Sequence, residues 1–297
     1  MKILIINNLV SGLKTGAIHD FNRYFARNGD ELCIRSTDGE AKIENMLHDA
    51  ASFDLVVAAG GDATISTVAY ELRNSDIPVL AFPAGTANLL ATNLNTPDEP
   101  SALARIARAL KTEYYDIGEM AYLQEGKSCR KGFAVIGGAG YDASIMRRAE
   151  RLKSRFGPMA YFAAALSEPN PKVADFTIVL DDQKINVTGI AVLVINFAQI
   201  YPDLSITHGN DAQDGLFEVV ILKKQHTVEL LPALFAIFLD SMVNFSERTD
   251  ALEIHHAKYV LVKSNPDLEL QIDGEIPAVS TPFEARILPG AARFVVA

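Results

Sequence analysis

Residues 55–64 read Leu55-Val56-Val57-Ala58-Ala59-Gly60-Gly61-Asp62-Ala63-Thr64: an apolar run, two glycines, a carboxylate and, two residues on, a hydroxyl. An unbroken apolar run bounded by glycine is the pattern of a strand buried on both faces. The two residues without Cβ permit a sharp exit from that strand and a close approach of the backbone to whatever lies above it. A helix starting at once points its unpaired N–H groups at the same spot and attracts anions there. Asp62 is suited to holding Mg²⁺ through water or gripping a ribose, and Thr64 to capping the helix or donating to phosphate. Taken alone, the segment is explained equally well as an ordinary strand-to-helix turn.

The flanking sequence repeats the alternation. Residues 2–7 form a strand, Ala17 to Asn28 a helix with Ile18, Phe21, Tyr24 and Phe25 on one face, 31–37 a strand, and Ala41 to Ala51 a helix. Downstream come a helix from Thr64 to Asn74, a strand over 77–83, and a turn at 85–94 that enters another helix. Alternating strands and helices make βαβ units and a parallel sheet, whose ligands collect at the carboxyl ends of the strands. After Asp116 the texture changes: strand-like runs occur at 131–138, 175–182, 189–198, 216–222, 259–264, 268–273 and 292–297. Helical stretches at Ala143 to Leu166 and Thr227 to Asn244 interrupt them. The expected fold class is α/β in two domains. Residues 1–118 form an N-terminal parallel-sheet α/β nucleotide-binding domain, and 119–297 a C-terminal β-rich sandwich with helical insertions, whose last strand is free to return to the first domain.

Composition excludes several classes. With 49% hydrophobic and 22% charged residues, the chain is that of a soluble globular protein large enough to need no staples. Cys33 and Cys129 stand far apart, which argues against a disulfide framework or a structural zinc site. The apolar start ends at Asn7, too short for a secretory leader, and Val228 to Phe245 is interrupted by Glu229, Pro232, Asp240 and Asn244, so no membrane span is expected. A cytoplasmic location follows, with peripheral contact at the inner membrane face left open. The net charge of −10 disfavours nucleic acid as a partner. Arg147, Arg148, Arg151, Lys153 and Arg155 crowd together; they read first as a solvated helix face and second as a dock for anionic headgroups or phosphates.

Three further stretches carry candidate chemistry. Phe82-Pro83-Ala84-Gly85-Thr86-Ala87-Asn88 is a second strand end with a hydroxyl and an amide where a helix opens, and it should face the same crevice as the first. Asn8-Leu9-Val10-Ser11-Gly12 follows the first strand and by itself is ordinary turn material. Gln271-Ile272-Asp273-Gly274-Glu275 places two carboxylates around a glycine; it suits a metal and a hydroxyl proton, or simply a solvent-facing hairpin turn. No P-loop, no protein-kinase motif set and no H-E-x-x-H occurs, and the six histidines lie at no ligating spacing.

In combination these segments resemble the bacterial branch of the diacylglycerol-kinase-like lipid kinases, within a superfamily that includes NAD kinases and phosphofructokinases. The family's Asn-Pro-x-Ser-Gly stands here as Asn8 to Gly12, its Gly-Gly-Asp-Gly-Thr as Gly60 to Thr64, and its Pro-x-Gly-Thr-x-Asn-Asp as Pro83 to Leu89. Residues 137–166 are similar to its Gly-x-Gly-Phe-Asp segment and following helix, Asp211 to Leu216 to its Mg²⁺ loop, Asp273 to Glu275 to its Asp-Gly-Glu, and 283–296 to its closing strands. The resemblance implies ATP in a cleft, held by Asn8, Leu9, Val10, Ser11, Gly12, Gly60, Gly61, Asp62, Ala63, Thr64, Gly85, Thr86 and Asn88, with Thr37 a weaker candidate. It implies Glu275 as the base for the acceptor hydroxyl with Asp273 beside it on the catalytic metal. Asp214, with carbonyls of Asp211 and Leu216, would hold a structural Mg²⁺. A lipid substrate and transient contact with a membrane surface are implied as partners; a homodimer stays open.

Leu9 replaces a proline of the family pattern, Leu89 an acidic residue, and Ala63 a glycine. If the Ala63 position needs positive φ, its methyl costs on the order of 1 kcal/mol. NAD kinase or another soluble-substrate kinase, and a non-catalytic nucleotide or lipid sensor, are the competing readings.

Overall fold

A computed structural model describes residues 1–11, 16–26, 29–39, 41–140, 172–201, 204–205, 210–223 and 252–297. The expected helices at 143–166 and 227–244, the basic run at 147–155 and Gly12 lie outside them.

Strands β1 (Lys2–Asn8), β2 (Glu31–Thr37), β3 (Leu55–Gly60) and β4 (Val79–Pro83) are parallel neighbours in the order β2-β1-β3-β4. Helices α1 (Ala17–Ala26), α2 (Ile43–Met46), α3 (Asp62–Glu71), α4 (Leu89–Asn93) and α5 (Pro100–Ala109) alternate with them. Strand side chains point alternately to the two faces, and both faces are apolar, so each face needs helices over it. Phe21 and Phe25 of α1 and Leu103 and Ala107 of α5 cover Ile3, Ile5, Val57 and Leu80. Ile65, Val68 and Ala69 of α3 and Leu90 of α4 cover Leu4, Ile6, Val56 and Ala81.

Two local readings need correction. Residues 41–51 do not form one helix: α2 is a single turn, and a 3-10 turn follows at Ala50–Ser52. The Arg35 guanidinium bonds the Asp49 carboxylate twice, at 2.6 and 2.7 Å, and also reaches the Met46 carbonyl, which folds the segment back onto β2. Helix α5 was not anticipated, although its signals are present. Glu99 accepts from the Ala102 N–H at 2.8 Å, and Pro100 sits in the first turn, where its missing N–H costs nothing.

The remaining strands are β5 (Thr112–Gln124), β6 (Lys127–Phe133), β7 (Ile136–Gly140), β8 (Ala174–Leu180), β9 (Gln183–Gly189), β10 (Ala191–Ile195), β11 (Gln199–Tyr201), β12 (Leu204–Ser205), β13 (Phe217–Leu222), β14 (Leu252–Ala257), β15 (Tyr259–Asn265), β16 (Leu270–Ile272) and β17 (Phe283–Val295). The parallel sheet does not stop at β4. Strand β17 lies next, with Phe294 opposite Val79, and the sheet continues through β15, β8 and β9, with β5 and β6 attached through β17, to ten strands. A second, five-stranded antiparallel sheet runs β14-β13-β10-β7-β16. The two sheets close on a shared core that includes Phe133, Phe176, Val192, Phe217, Val260, Leu270 and Phe283. Phe133 and Phe217 stack across it with centroids 5.5 Å apart. Burying each such side chain stabilises by about 1.5–3 kcal/mol.

The run 131–138 reads as one strand but is two. It breaks at Ala134-Val135, where the chain leaves the ten-stranded sheet as β6 and enters the five-stranded one as β7. The reason belongs to the site below.

Gly118 of β5 lies under the Phe133 ring, where a Cβ would come within 2.3 Å of ring carbons. Gly118→Ala is therefore expected to destabilise the protein by about 1–3 kcal/mol in urea unfolding. In a Phe133→Leu background the same substitution should cost less, because the obstructing ring is gone.

Candidate active site

The predicted loops converge at the carboxyl ends of the parallel strands. The Asn8 side-chain amide at the end of β1 donates to the Thr64 hydroxyl at 2.9 Å, and the Gly61 N–H reaches the Ser11 hydroxyl at 3.3 Å. Leu9 and Val10 are exposed, and Leu9 donates its N–H to the Thr37 carbonyl. Thr37 is thus adjacent but turned inward: its hydroxyl bonds the Ala41 carbonyl and accepts the Gly39 N–H, so it supports the loop rather than facing a ligand.

Gly60 is confined by Thr64, whose side chain a Cβ would meet at 2.6 Å. The tighter constraint is at Gly85, where a Cβ would lie 2.4 Å from the Gly61 Cα. The two glycine turns meet backbone to backbone, a contact that any side chain at position 85 would prevent, whereas a Cβ at Gly61 would lie an ordinary 3.7 Å from the Gly85 Cα. Asn88 then takes the left-handed conformation at φ 51°, accepts the Gly85 N–H at 2.8 Å and opens α4, leaving Thr86 exposed at the tip.

Ala63 lies in the first turn of α3 and is not among the residues with positive φ. The strain conditional on a left-handed backbone does not arise, because a methyl is at home in a helix. Leu89 occupies the start of α4, and the anion serving that helix end comes from another loop. Asp62 accepts the Leu90 N–H at 2.8 Å, with Leu89 also contributing, so its carboxylate ties the two glycine turns together. Burial pushes the Asp62 carboxyl up to about 6, against the pull of these amides, and the nearby Asp273 charge pushes it the same way.

Asp273 and Gly274 are the central residues of a two-residue hairpin turn, at φ 47° and 82°, as the Asp-Gly pair favours. Asp273 is buried, and its carboxylate accepts the N–H groups of Ala134, Val135 and Ile136 at 2.8, 2.9 and 2.9 Å. Ser66, one turn along α3 from Asp62, adds its hydroxyl to the same carboxylate, and its oxygen is 3.2 Å from the Ala134 nitrogen. Burial pushes this carboxyl up, opposed by Ser66 and the three amides. Four donors on two oxygens take up the lone-pair capacity of a carboxylate. Asp273 therefore does not fit the metal-ligand role implied by its motif; it breaks the 131–138 run and carries the chain between sheets. Glu275 is different: its side chain is 58% exposed and forms an ion pair with Lys131 of β6.

The loop at 211–216 is tied to β5, whose Asp116 N–H bonds the Ala212 carbonyl at 2.8 Å. Asp211 accepts the Gln213 N–H at 3.0 Å and Asp214 the Leu216 N–H at 2.8 Å. Buried Asp116 accepts the N–H groups of Gly215 and Gly290, both at 2.7 Å, and its carboxyl is pushed up by burial, with Asp214 and Asp211 adding to the effect. Among the described residues, no three His, Cys, Asp or Glu side chains are grouped to hold a metal ion. Sequence reasoning missed Ser66, Asp116 and Lys131. Ser66 had a readable signal, its i+4 spacing from Asp62 on one helix face; the other two act through long-range pairings.

The chain matches the family model for a diacylglycerol kinase catalytic domain over residues 2–120, and that for a YegS C-terminal NAD kinase beta sandwich-like domain over residues 135–296. It is 27% identical over 259 residues to an uncharacterized protein, sll0036, of Synechocystis, covering 84% of this chain and 56% of that one. It is 29% identical over 245 residues to a diacylglycerol kinase of Mycobacterium tuberculosis, covering 82% of this chain and 76% of the relative. A solved structure of a putative diacylglycerol kinase from Bacillus anthracis shares the fold, with a TM-score of 0.76 at 18% identity, covering 100% of this chain and 97% of that one.

Two outcomes follow from this geometry. An Asp62 carboxyl raised from 3.8 to about 6 binds its proton more tightly in the folded state, so its contribution to stability is lost as pH rises through that window. Asp62→Asn should gain on the parent by ~2 kcal/mol between about pH 4.5 and about pH 7 in urea unfolding. Asp273→Asn turns an NH₂ group toward the backbone donors, and should cost about 3 kcal/mol or more by the same measurement at about pH 7.

Proposed function

This chain belongs to the diacylglycerol-kinase-like family, and from that membership we propose that it is an ATP- and Mg²⁺-dependent kinase phosphorylating a hydroxyl group of a diacylglycerol-like or sphingoid-like lipid. The observation that carries the reading is the meeting of Gly61 and Gly85 at bare backbone, with Asp62 facing the turn that bears Glu275. A polyphosphate needs a cradle without side chains, backed by a helix N-terminus, and α3 opens at that point. The residues fit a nucleotide phosphate chain. Asn8, Ser11 and Thr64 would line its edge, and the exposed Thr86 hydroxyl would meet it from α4.

Mg²⁺ would neutralise charge on the transferring phosphoryl group. Its proposed structural site is Asp214 with the carbonyls of Asp211 and Leu216. These are hard oxygen donors of the right kind, although Asp211 and Asp214 each spend one carboxylate oxygen on a loop amide. Glu275, exposed at the rim, is the group placed to accept the proton of an acceptor hydroxyl. Asp273 holds the turn that presents it. A lipid acceptor requires the cleft to reach a bilayer surface. Among the described residues, no helix is long and apolar enough to cross a membrane.

Incubation with Mg²⁺, γ-labelled ATP and vesicles bearing diacylglycerol, monoacylglycerol, a sphingoid base or a polyprenol should label one of these lipids. Label in none of them, with folded protein and bound nucleotide, would overturn the lipid reading; label in added NAD⁺ would replace it. Glu275→Ala should lower the labelling rate by about 100-fold or more, leaving the unfolding midpoint nearly unchanged.

A further inference from the structure

On the reading that Glu275 is the base and ATP the donor, we propose that Lys131 is a second catalytic group: an ammonium paired with Glu275 that transfers to the phosphoryl group when nucleotide binds. Among the described residues, the cleft segments 8–11, 60–64, 83–89 and 271–275 contain no cation. Asp62 lies at the cleft's glycine turns and Glu275 at its rim, and a polyphosphate entering such surroundings needs positive charge from the chain as well as from metal.

Arg130 and Lys131 are neighbours on β6, the strand that runs into the crossing held by Asp273. Arg130 is committed: it bonds Glu119 at 2.9 Å, and the same carboxylate accepts the Tyr70 hydroxyl of α3 at 2.5 Å. Lys131, 26% exposed, is ion-paired with Glu275. That pair is at the surface on the Glu275 side, so breaking it costs little. A lysine is a point charge on a flexible stem, able to exchange one oxyanion for another without the forked geometry an arginine demands. A multiply charged phosphate is the stronger partner.

The exchange also resolves a conflict in the resting site. An ammonium seated on the Glu275 carboxylate occupies the oxygen that an acceptor hydroxyl would approach. Once Lys131 moves to a non-bridging phosphoryl oxygen, Glu275 is released at the moment it is needed. In the transfer, the bond from the acceptor oxygen to phosphorus forms. The bond from phosphorus to the bridging oxygen breaks, its electron pair leaving with the nucleoside diphosphate, and the acceptor proton ends on Glu275. Lys131 supplies charge and exchanges no proton.

The test is ATP binding by isothermal titration, without any acceptor lipid, on the full chain and three variants whose melting temperatures are checked first. Lys131→Met should weaken ATP roughly ten- to a hundredfold and leave adenosine unaffected. Lys131→Arg should retain most of the affinity. Glu275→Gln, which frees the ammonium, should tighten ATP several-fold. Equal ATP affinity in Lys131→Met, Glu275→Gln and the parent would reduce Lys131 to a brace for Glu275 and overturn the proposal, leaving the kinase reading intact. No ATP binding by the folded parent protein would remove both.

Discussion

One carboxylate holds this molecule's two sheets in register. Asp273 takes three consecutive backbone N–H groups from residues 134–136, where the chain steps from the large sheet into the small one. A bend of that kind strands amides that neither sheet can pair, and burying them unpaired would cost several kcal/mol. Burying an ion alone would cost at least as much. Each problem is the other's solution. Because Ser66 joins the same carboxylate, α3 is fixed to the crossing point as well, and α3 carries the Gly60 to Thr64 loop at its head. Asn196 reinforces the junction, donating to the carbonyls of Asp116 and Ala134 at 2.9 Å each.

The cleft above this junction is built in the same economical way. Asp62 caps α4 while standing at the start of α3, so the two glycine turns share one anion and one backbone contact. The family pattern places an acid at position 89, and here Leu89 stands in that place. The structure accommodates Leu89 because Asp62 serves the α4 end across the turn. Ala63 is accommodated for a different reason: its backbone is helical. Both departures from the family pattern turn out to be locally harmless to the fold.

The parallel half was readable because its signals are local. Apolar runs such as 55–59, glycines at their ends and helix faces like that of Phe21 and Phe25 depend on neighbours within one turn or one strand. The loops at 8–11, 60–64 and 85–88 could be assigned to one crevice from topology alone. What stayed hidden depends on partners far along the chain. Whether 131–138 is one strand or two is decided by Asp273, 139 residues beyond Ala134. The length of 41–51 is decided by Arg35, whose charge outweighs a weak helical period. The inward turn of Thr37 and the pairing of Lys131 with Glu275 have no sequence signature at all. Helix α5 is the exception: its signals, Pro100 and the Glu99 cap, are local.

Strand β17 gives the chain an order of assembly. It joins both halves of the ten-stranded sheet, pairing residues 283–295 with β5 and setting Phe294 beside Val79 of β4. On a ribosome, β1 to β4 emerge before β17 and can dock their helices, but the edge of β4 stays open until β17 appears. Over that interval the nascent protein displays an unpaired apolar strand edge of the kind that recruits other chains. The glycine turns at the tips of β3 and β4 belong to a sheet that only β17 completes, so a chain cut short of β17 lacks the strand against which the first half closes.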